Sequence, residues 1–430
     1  MSVEFIIFGF LVMLGLMLVG IPVAISMALI GVTGGVIAYG IPFMDSVAPV
    51  LWSVQNDYLL TAIPLFVLLG EILLRSGLAD QMYVALAAWL GRLPGGLLHT
   101  NIATCALFSA TSGSSVATAA TVGTVSLPSL QARNYKSSSA LGTLAAGGTL
   151  GILIPPSVNL IIYGSMTNNS IGKLFLAGII PGLVLVAAFM AYIAVASLFS
   201  KSSPAEVKIP LKQKIIVLKY LIPPFVIFGI IMGSLYSGLA TATESAALGV
   251  IAALLFVLCT GRLNWALLQK CFVSTARTSG MVLLVITGAF ILNLTVSLTG
   301  IAETMSNWVS GLGLSTYGML LALVCFYLIL GMFMDVLSMQ VATIPITYPM
   351  AIAHGIDPIW FGIFIILMCE IALITPPVGM NLFVVQGIRP DDGSILDVMK
   401  GVMPYVIIMT LFVGLVIAFP TLVTWLPYKM

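Results

Sequence analysis

The sequence predicts an all-α polytopic membrane protein made of two inverted repeats, each carrying a re-entrant helical hairpin and a broken helix. Three observations lead there. Hydrophobic residues make up 60% of the 430 residues and charged residues 7%, against about 45–50% and about 25% in soluble domains, and the mean hydropathy is +1.18. Motifs recur in the two halves at a nearly constant displacement. A proline pair interrupts an apolar stretch in each half, where no water is present to repair the broken helix. The apolar runs are continuous, unlike barrel strands, which alternate in polarity over segments of about 10 residues. A formal net charge of +2 is too small to indicate nucleic acid. Cys105, Cys259, Cys271, Cys325 and Cys369 lie in apolar runs without CxxC or His-paired spacing, so they read as packing residues.

Residues 1–59 read as N-terminal scaffold helices. The apolar run from Phe5 has no basic stretch before it, is interrupted at Gly20-Ile21-Pro22, and ends in no small-residue cleavage site. It is therefore expected to be a retained helix and not a signal peptide. Residues 60–200 form the first repeat. Ser109-Ala110-Thr111-Ser112-Gly113-Ser114-Ser115 is too polar for lipid and places a hairpin tip near 109–115, and the run ending in Pro155-Pro156 places a broken helix near 151–157. Residues 201–282 open with a basic island from Lys201 to Lys219, expected to be a cytoplasmic linker because basic loops stay inside, and continue as scaffold helices. Residues 283–400 form the second repeat, with a tip near 331–335 (Gly331-Met332-Phe333-Met334-Asp335) and a broken helix near 372–381 around Thr375-Pro376-Pro377. Residues 401–430 form a C-terminal helix. With about 20 apolar residues per crossing, roughly ten or more membrane segments are expected.

The repeat rests on three matches. Ser76-Gly77-Leu78-Ala79-Asp80-Gln81-Met82 answers Thr299-Gly300-Ile301-Ala302-Glu303-Thr304-Met305, displaced by 223 residues (77 to 300). Pro155-Pro156 answers Pro376-Pro377, displaced by 221, each followed by Asn-Leu (Asn159-Leu160 and Asn381-Leu382), and Pro128 answers Pro349 at the same displacement. Arg75, Arg92, Arg133 and Lys136, read as loop residues of the first repeat, answer Leu298, Ser315, His354 and Asp357, none of them Lys or Arg. If basic loops remain cytoplasmic, equivalent loops face opposite sides, the arrangement of many secondary transporters.

The chemistry expected at the breaks is ion binding. An X-Pro-Pro pair frees carbonyls that suit Na⁺, and half-helix N-termini suit anions. Glu71, Glu244 and Glu370 lie in or beside apolar runs and read either as proton or cation sites or as structural carboxylates. His99 and His354 read as loop residues. No triad, P-loop lysine or zinc-binding pair occurs, so no enzyme activity is expected.

The most specific stretches are Ala62-Ile63-Pro64-Leu65-Phe66 with Gly70-Glu71, Ser112-Gly113-Ser114-Ser115, Gly151 to Ser157, Ala240-Thr241-Ala242-Thr243-Glu244, Asp335 with Pro345 and Pro349, and Thr375-Pro376-Pro377-Val378-Gly379-Met380-Asn381. Through them essentially the whole chain resembles the large membrane subunit of the tripartite ATP-independent periplasmic (TRAP) transporters. The resemblance implies an elevator-type ion-transporter fold in the bacterial inner membrane. It implies a small membrane subunit, a periplasmic substrate-binding protein, a small organic anion as substrate and two Na⁺ sites. Carried over by position, the first Na⁺ site is Ser109, Ser112, Gly151, Ile154 and Pro156, and the second is Gly331, Ala372, Thr375 and Val378, with Ala372 standing where the family commonly has Gly. The substrate is expected near Ser114, Ser115, Ser157, Asn159, Asp335 and Asn381. Ala242 stands where the family has Pro, so that run is assigned no role. A carboxylate, sugar acid or sulfonate fits equally, with no arginine expected at the cavity. Two alternatives remain, a stand-alone Na⁺/dicarboxylate symporter and a Na⁺/H⁺ antiporter using Glu71, Glu244 or Glu370.

Overall fold

The computed structural model describes residues 3–199, 210–311, 313 and 315–429, so the first part of the basic island, residues 201–209, lies outside the described residues. The described residues are helical with short connections and no strand. Three helices lead in: α1 (Val3–Leu18), α2 (Val23–Tyr39) and α3 (Met44–Gln55). The first repeat follows as α4 (Ala62–Arg75), α5 (Leu78–Leu90), the hairpin α6 (Leu97–Ser112) and α7 (Ser115–Ala132), the broken helix α8 (Ser137–Thr149) and α9 (Val158–Thr167), and the long α10 (Ile171–Phe199). Then come α11 (Leu211–Val217), α12 (Ile222–Tyr236) and α13 (Ala242–Cys259). The second repeat reproduces the first as α14 (Trp265–Leu298), α15 (Ile301–Gly311), the hairpin α16 (Thr316–Gly331) and α17 (Val336–Ala353), the broken helix α18 (Pro358–Ile374) and α19 (Met380–Gly387), and α20 (Ile395–Ala418), after which α21 (Thr421–Thr424) closes the chain. Both ends of α7 map onto those of α17 at a displacement of 221 residues (115 to 336, 132 to 353).

Polar residues in the apolar sequence start the helices. Ser114 caps α7, Ser157 caps α9, Asp335 caps α17 and Asp357 caps α18, each side chain accepting a backbone N–H of the first turn. Six helices are long and apolar enough to cross a bilayer, and the bent pair Ile41–Gln55 with Leu59–Arg75 makes a seventh if read as one span. Shorter apolar helices add to these, namely Val3–Leu18, Val23–Tyr39, Val158–Thr167, Thr316–Gly331 and Pro358–Ile374. α9 has 10 residues and α19 has 8, only about 15 Å and about 12 Å of helix. The expected divisions at 282/283 and 400/401 fall inside α14 and α20, and that at 59/60 falls within the single turn Leu59–Thr61.

The orientation of the repeats follows from contacts at the two ends of α10 and α20. The loop between α17 and α18 lies where α10 begins and α20 ends. Tyr163 donates to the Pro358 carbonyl at 2.6 Å, Trp360 to Val416 O at 3.3 Å, and Tyr428 to Asp357 at 2.6 Å while its ring lies under Lys173. The equivalent loop between α7 and α8 lies at the opposite end. Gln131 reaches Asp391 just before α20, and the Tyr135 hydroxyl accepts from Leu97 N beside Gly95, which packs on Ser197 at the end of α10. Equivalent loops thus sit at opposite ends of the same long helices. Arg92, Arg133, Lys136, Arg389 and Lys400 gather at the second end, which the charge rule assigns to the cytoplasm. α13 fixes the end of α4. Thr243 contacts Tyr58 next to Asp57, which accepts from Ser165 at the far end, and Arg262, beyond the other end of α13, donates to Ser76 O at 2.5 Å. Arg75 therefore lies at the basic end. It is the last residue of α4 and not a loop residue.

Candidate transport site

The two hairpin tips and the two helix breaks converge on one cavity of about 490 Å³. Its wall includes Ser112 to Ala117, Ile152, Val158 and Asn159 from the first repeat, Asp335 to Leu337, Leu373 and Met380 from the second, and Val67, Gly70, Glu71 and Leu74 of α4 opposite Thr278, Met281 and Val282 of α14.

The first tip is the two residues Gly113-Ser114, so Ser109 to Ser112 are helical rather than part of the turn. Gly113 takes φ +61°, and a Cβ there would lie 2.8 Å from the Pro156 carbonyl oxygen. Gly151 is equally close in the other direction, since a Cβ on it would lie 2.7 Å from the Ser114 carbonyl. Tip and break therefore meet backbone to backbone. Pro155-Pro156 is joined by a cis peptide bond, as is Pro376-Pro377. Among the described residues, none donates a hydrogen bond to the carbonyls of Gly151, Ile154 or Pro156, and the buried Ser109 hydroxyl has no partner. Ser112 Oγ lies 3.1 Å from Thr118 Oγ1, which donates to Ser114 O at 2.7 Å. Hydroxyl and carbonyl oxygens without donors are the ligand set that a broken membrane helix offers to Na⁺. Of the five residues expected there, Ser109 offers a hydroxyl and Gly151, Ile154 and Pro156 offer carbonyls without donors among the described residues, while the Ser112 hydroxyl already pairs with Thr118.

The residues of the second set are arranged differently. Gly331 packs directly on Ala372, whose Cα would be 2.9 Å from an added Cβ. Thr375 Oγ1 donates to Ile371 O at 2.7 Å and Thr375 O accepts from Gly379 N at 3.1 Å, so both oxygens are engaged. The Val378 side chain is exposed.

Of the residues expected to hold substrate, Ser114, Ser115, Asn159 and Asp335 line the cavity; Ser157 and Asn381 lie behind it, fully buried. Ser157 is committed as the cap of α9, donating to Ile152 O at 2.5 Å. Asn381 ties the repeats together, donating to Ser115 Oγ at 3.1 Å and Ala145 O at 3.2 Å, and the Ser115 hydroxyl donates to Gly148 O at 2.8 Å. A second bond crosses between repeats where Gln340 donates to Asn159 O at 2.7 Å. The Asn159 amide nitrogen has no partner among the described residues. Asp335 accepts from the Ser338 amide at 3.2 Å and from its hydroxyl.

The three intramembrane acids take different places. Glu244 closes a capping box with Thr241 at the start of α13, a role the sequence reading did not give that run. Glu71 lines the cavity. Glu370 is wholly buried in α18, and neither carboxyl oxygen has a partner among the described residues. His99 is not in a loop. It lies buried in the first turn of α6 with Nε2 2.7 Å from Pro94 O, while His354 ends α17. The cavity walls that the sequence reading missed, Val67, Thr278, Met281, Leu337 and Met380, carry no signal, being mostly apolar residues in an apolar chain.

The family model described as "Tripartite ATP-independent periplasmic transporter, DctM component" matches residues 10–422. The chain belongs to this family. This large permease is 32% identical to the C4-dicarboxylate TRAP transporter large permease protein DctM of Rhodobacter capsulatus over 437 residues, 98% of each chain. It is also 32% identical to the sialic acid TRAP transporter large permease protein SiaM of Vibrio cholerae, over 98% of this chain and 97% of that one. Among solved structures the YdaH transporter of Alcanivorax borkumensis matches with a TM-score of 0.63 over 88% of this chain and 89% of that one, at 15% identity, a likeness of fold alone. The family and the apolar helices make the large permease a multi-pass protein of the bacterial inner membrane.

Proposed function

We propose that this chain is the carrier subunit of a Na⁺-driven importer of a small organic anion. A periplasmic binding protein delivers the anion, a small membrane subunit braces the carrier, and the loaded core moves as an elevator. The observation that carries the reading is the cavity itself. Both tips and both breaks border it, and tip 1 closes on a break whose carbonyls at Gly151, Ile154 and Pro156 are without donors among the described residues. Na⁺ held by those oxygens and the Ser109 hydroxyl ties the tip to the break. A second Na⁺ does the same near Gly331 and the carbonyls around Ala372, Thr375 and Val378. The anion then meets Ser114, Ser115, the free amide of Asn159 and the N-terminal ends of α9 and α19, which carry partial positive charge. Because ion and anion share the tips, each favours the other's binding. The hairpins and broken helices would form the moving core, with α1–α3, α11–α13 and the arms α4 and α14 as scaffold. The relatives named for dicarboxylate, sialic acid and isethionate support a carboxylate, sugar acid or sulfonate substrate.

The test is uptake of labelled anion into proteoliposomes holding the complete tripartite system. Uptake is expected to need an inward Na⁺ gradient and to cease when choline replaces Na⁺; uptake that persists in choline overturns the coupling. Glu370 favours a second reading, because an unpartnered carboxyl at membrane depth is a candidate proton site. In that case a pH gradient alone, without Na⁺, drives transport.

A further inference from the structure

The cavity wall presents two carboxylates, Glu71 and Asp335, and no Lys, Arg or His. Asp335 is committed to the cap of α17. Glu71 is not bare. Its carboxylate receives Arg75 at 2.9 Å and 3.0 Å, and its other oxygen accepts the Ser274 hydroxyl of α14 at 2.7 Å. The Arg75 side chain is 33% exposed and that of Glu71 15%. A guanidinium thus touches a cavity-lining residue at the cytoplasmic end of α4, where sequence alone placed only a loop cation.

We propose that Glu71 stands in for the substrate's anionic group: it holds Arg75 while the cavity is empty, and the substrate displaces it and takes the guanidinium on its way to the cytoplasm. This rests on the anion-carrier reading above. Arg75 turns Nε and Nη2 together onto one Glu71 oxygen, and the same two donors match an incoming carboxylate in a bidentate fork. A partly exposed pair one helical turn apart is weak, so the exchange costs little. Glu71 keeps the Ser274 bond when Arg75 leaves, so it is not stranded. Without Arg75 an anion leaving the cavity would pass Glu71 with no counter-charge.

The experiment uses the reconstituted complex with its small subunit and binding protein, and measures half-saturation for exchange of labelled succinate, sialate or isethionate. Glu71→Gln frees Arg75 and is expected to lower the half-saturating concentration roughly fivefold, Arg75→Gln to raise it roughly tenfold at similar maximal rate, and the double variant, which lacks both the guanidinium and the bare Glu71 charge, to fall between wild type and Arg75→Gln. Glu71→Gln raising half-saturation, or Arg75→Gln leaving it unchanged, overturns the proposal while a working wild type preserves the transport reading. No exchange of any of the three anions by wild type refutes that reading itself. Should Arg75→Gln misfold, Glu71→Gln decides alone, because lost folding cannot tighten binding.

Discussion

At the scale of single residues, the first tip depends on Gly113 for two different reasons. Gly113 needs a left-handed backbone, and it needs the space a side chain would take from Pro156 O. Gly300 has the first requirement without the second, at φ +66° with nothing within 4 Å of an added Cβ. Gly113→Ala and Gly300→Ala should therefore both carry the left-handed penalty of about 1–2 kcal/mol, while only Gly113→Ala should also part tip from break. The expected outcome is a small loss of thermal stability in Gly300→Ala and a larger one in Gly113→Ala, with Na⁺-dependent uptake lost in Gly113→Ala alone. Equal uptake would remove the tip-to-break contact from the account of coupling. The residues at this junction were legible because polar and glycine residues are conspicuous in a chain with 60% hydrophobic residues. Their division of labour was not. Ser115, Ser157 and Asn381 read alike as polar positions near a break, yet one lines the cavity, one caps a helix and one bridges the repeats. That distinction depends on which way each side chain leaves its helix, which spacing from a proline does not specify. Thr241 and Glu244 were lost for the opposite reason. The capping box is a local pattern, but Ala242 in place of the family's proline obscured it.

At the scale of elements, the turn from α19 to α20 is held by one buried arginine. Arg389 takes Asp391 in a fork at 2.6 Å and 2.8 Å, Asp397 at 3.1 Å and Ser394 O at 3.1 Å, and Gln386 adds a bond to Gly393 O. This clamp ends the second broken helix at the cytoplasmic surface, opposite the hairpin of the first repeat through Gln131. Arg389 holds the Asp391 carboxyl below the usual aspartate range. A carboxylate with a depressed pKa stabilises the fold above its ordinary pKa near 4, and that contribution disappears as the pH falls through the lowered value. Asp391→Asn should thus lower the unfolding temperature by at most a few degrees at about pH 7, since the aspartate is half-exposed. The gap from wild type should narrow as the pH is taken towards about 3. A gap constant across that range in a thermal-unfolding series would mean that the side chain acts by shape and not by charge. Apolar runs and single helices also fail to coincide at the breaks. An apolar run long enough to suggest a crossing is shared between a half-helix and its neighbour whenever a proline pair divides it, as between α18 and α19.

At the scale of the whole molecule, the two repeats are one topology inserted from opposite sides. The displacement of 221 residues links the start and end of the outer hairpin helices, yet the loop after α7 meets the beginning of α20 while the loop after α17 meets its end. Charge agrees with contact. The first loop holds Arg133 and Lys136, and the second holds His354 and Asp357. Inversion lets a single cavity be bordered by a tip from each repeat. It follows that the thiols introduced singly by Arg133→Cys and His354→Cys, in a background without native cysteines, must react from opposite faces. A membrane-impermeant maleimide added outside intact cells should label the His354→Cys variant and spare the Arg133→Cys variant until the membrane is opened. Both sites are helix-terminal and outside the packed core, so neither substitution should cost more than about 0.5 kcal/mol. Labelling of both from one face would contradict the inverted arrangement and, with it, the assignment of Arg75 and the basic loops to the cytoplasmic end.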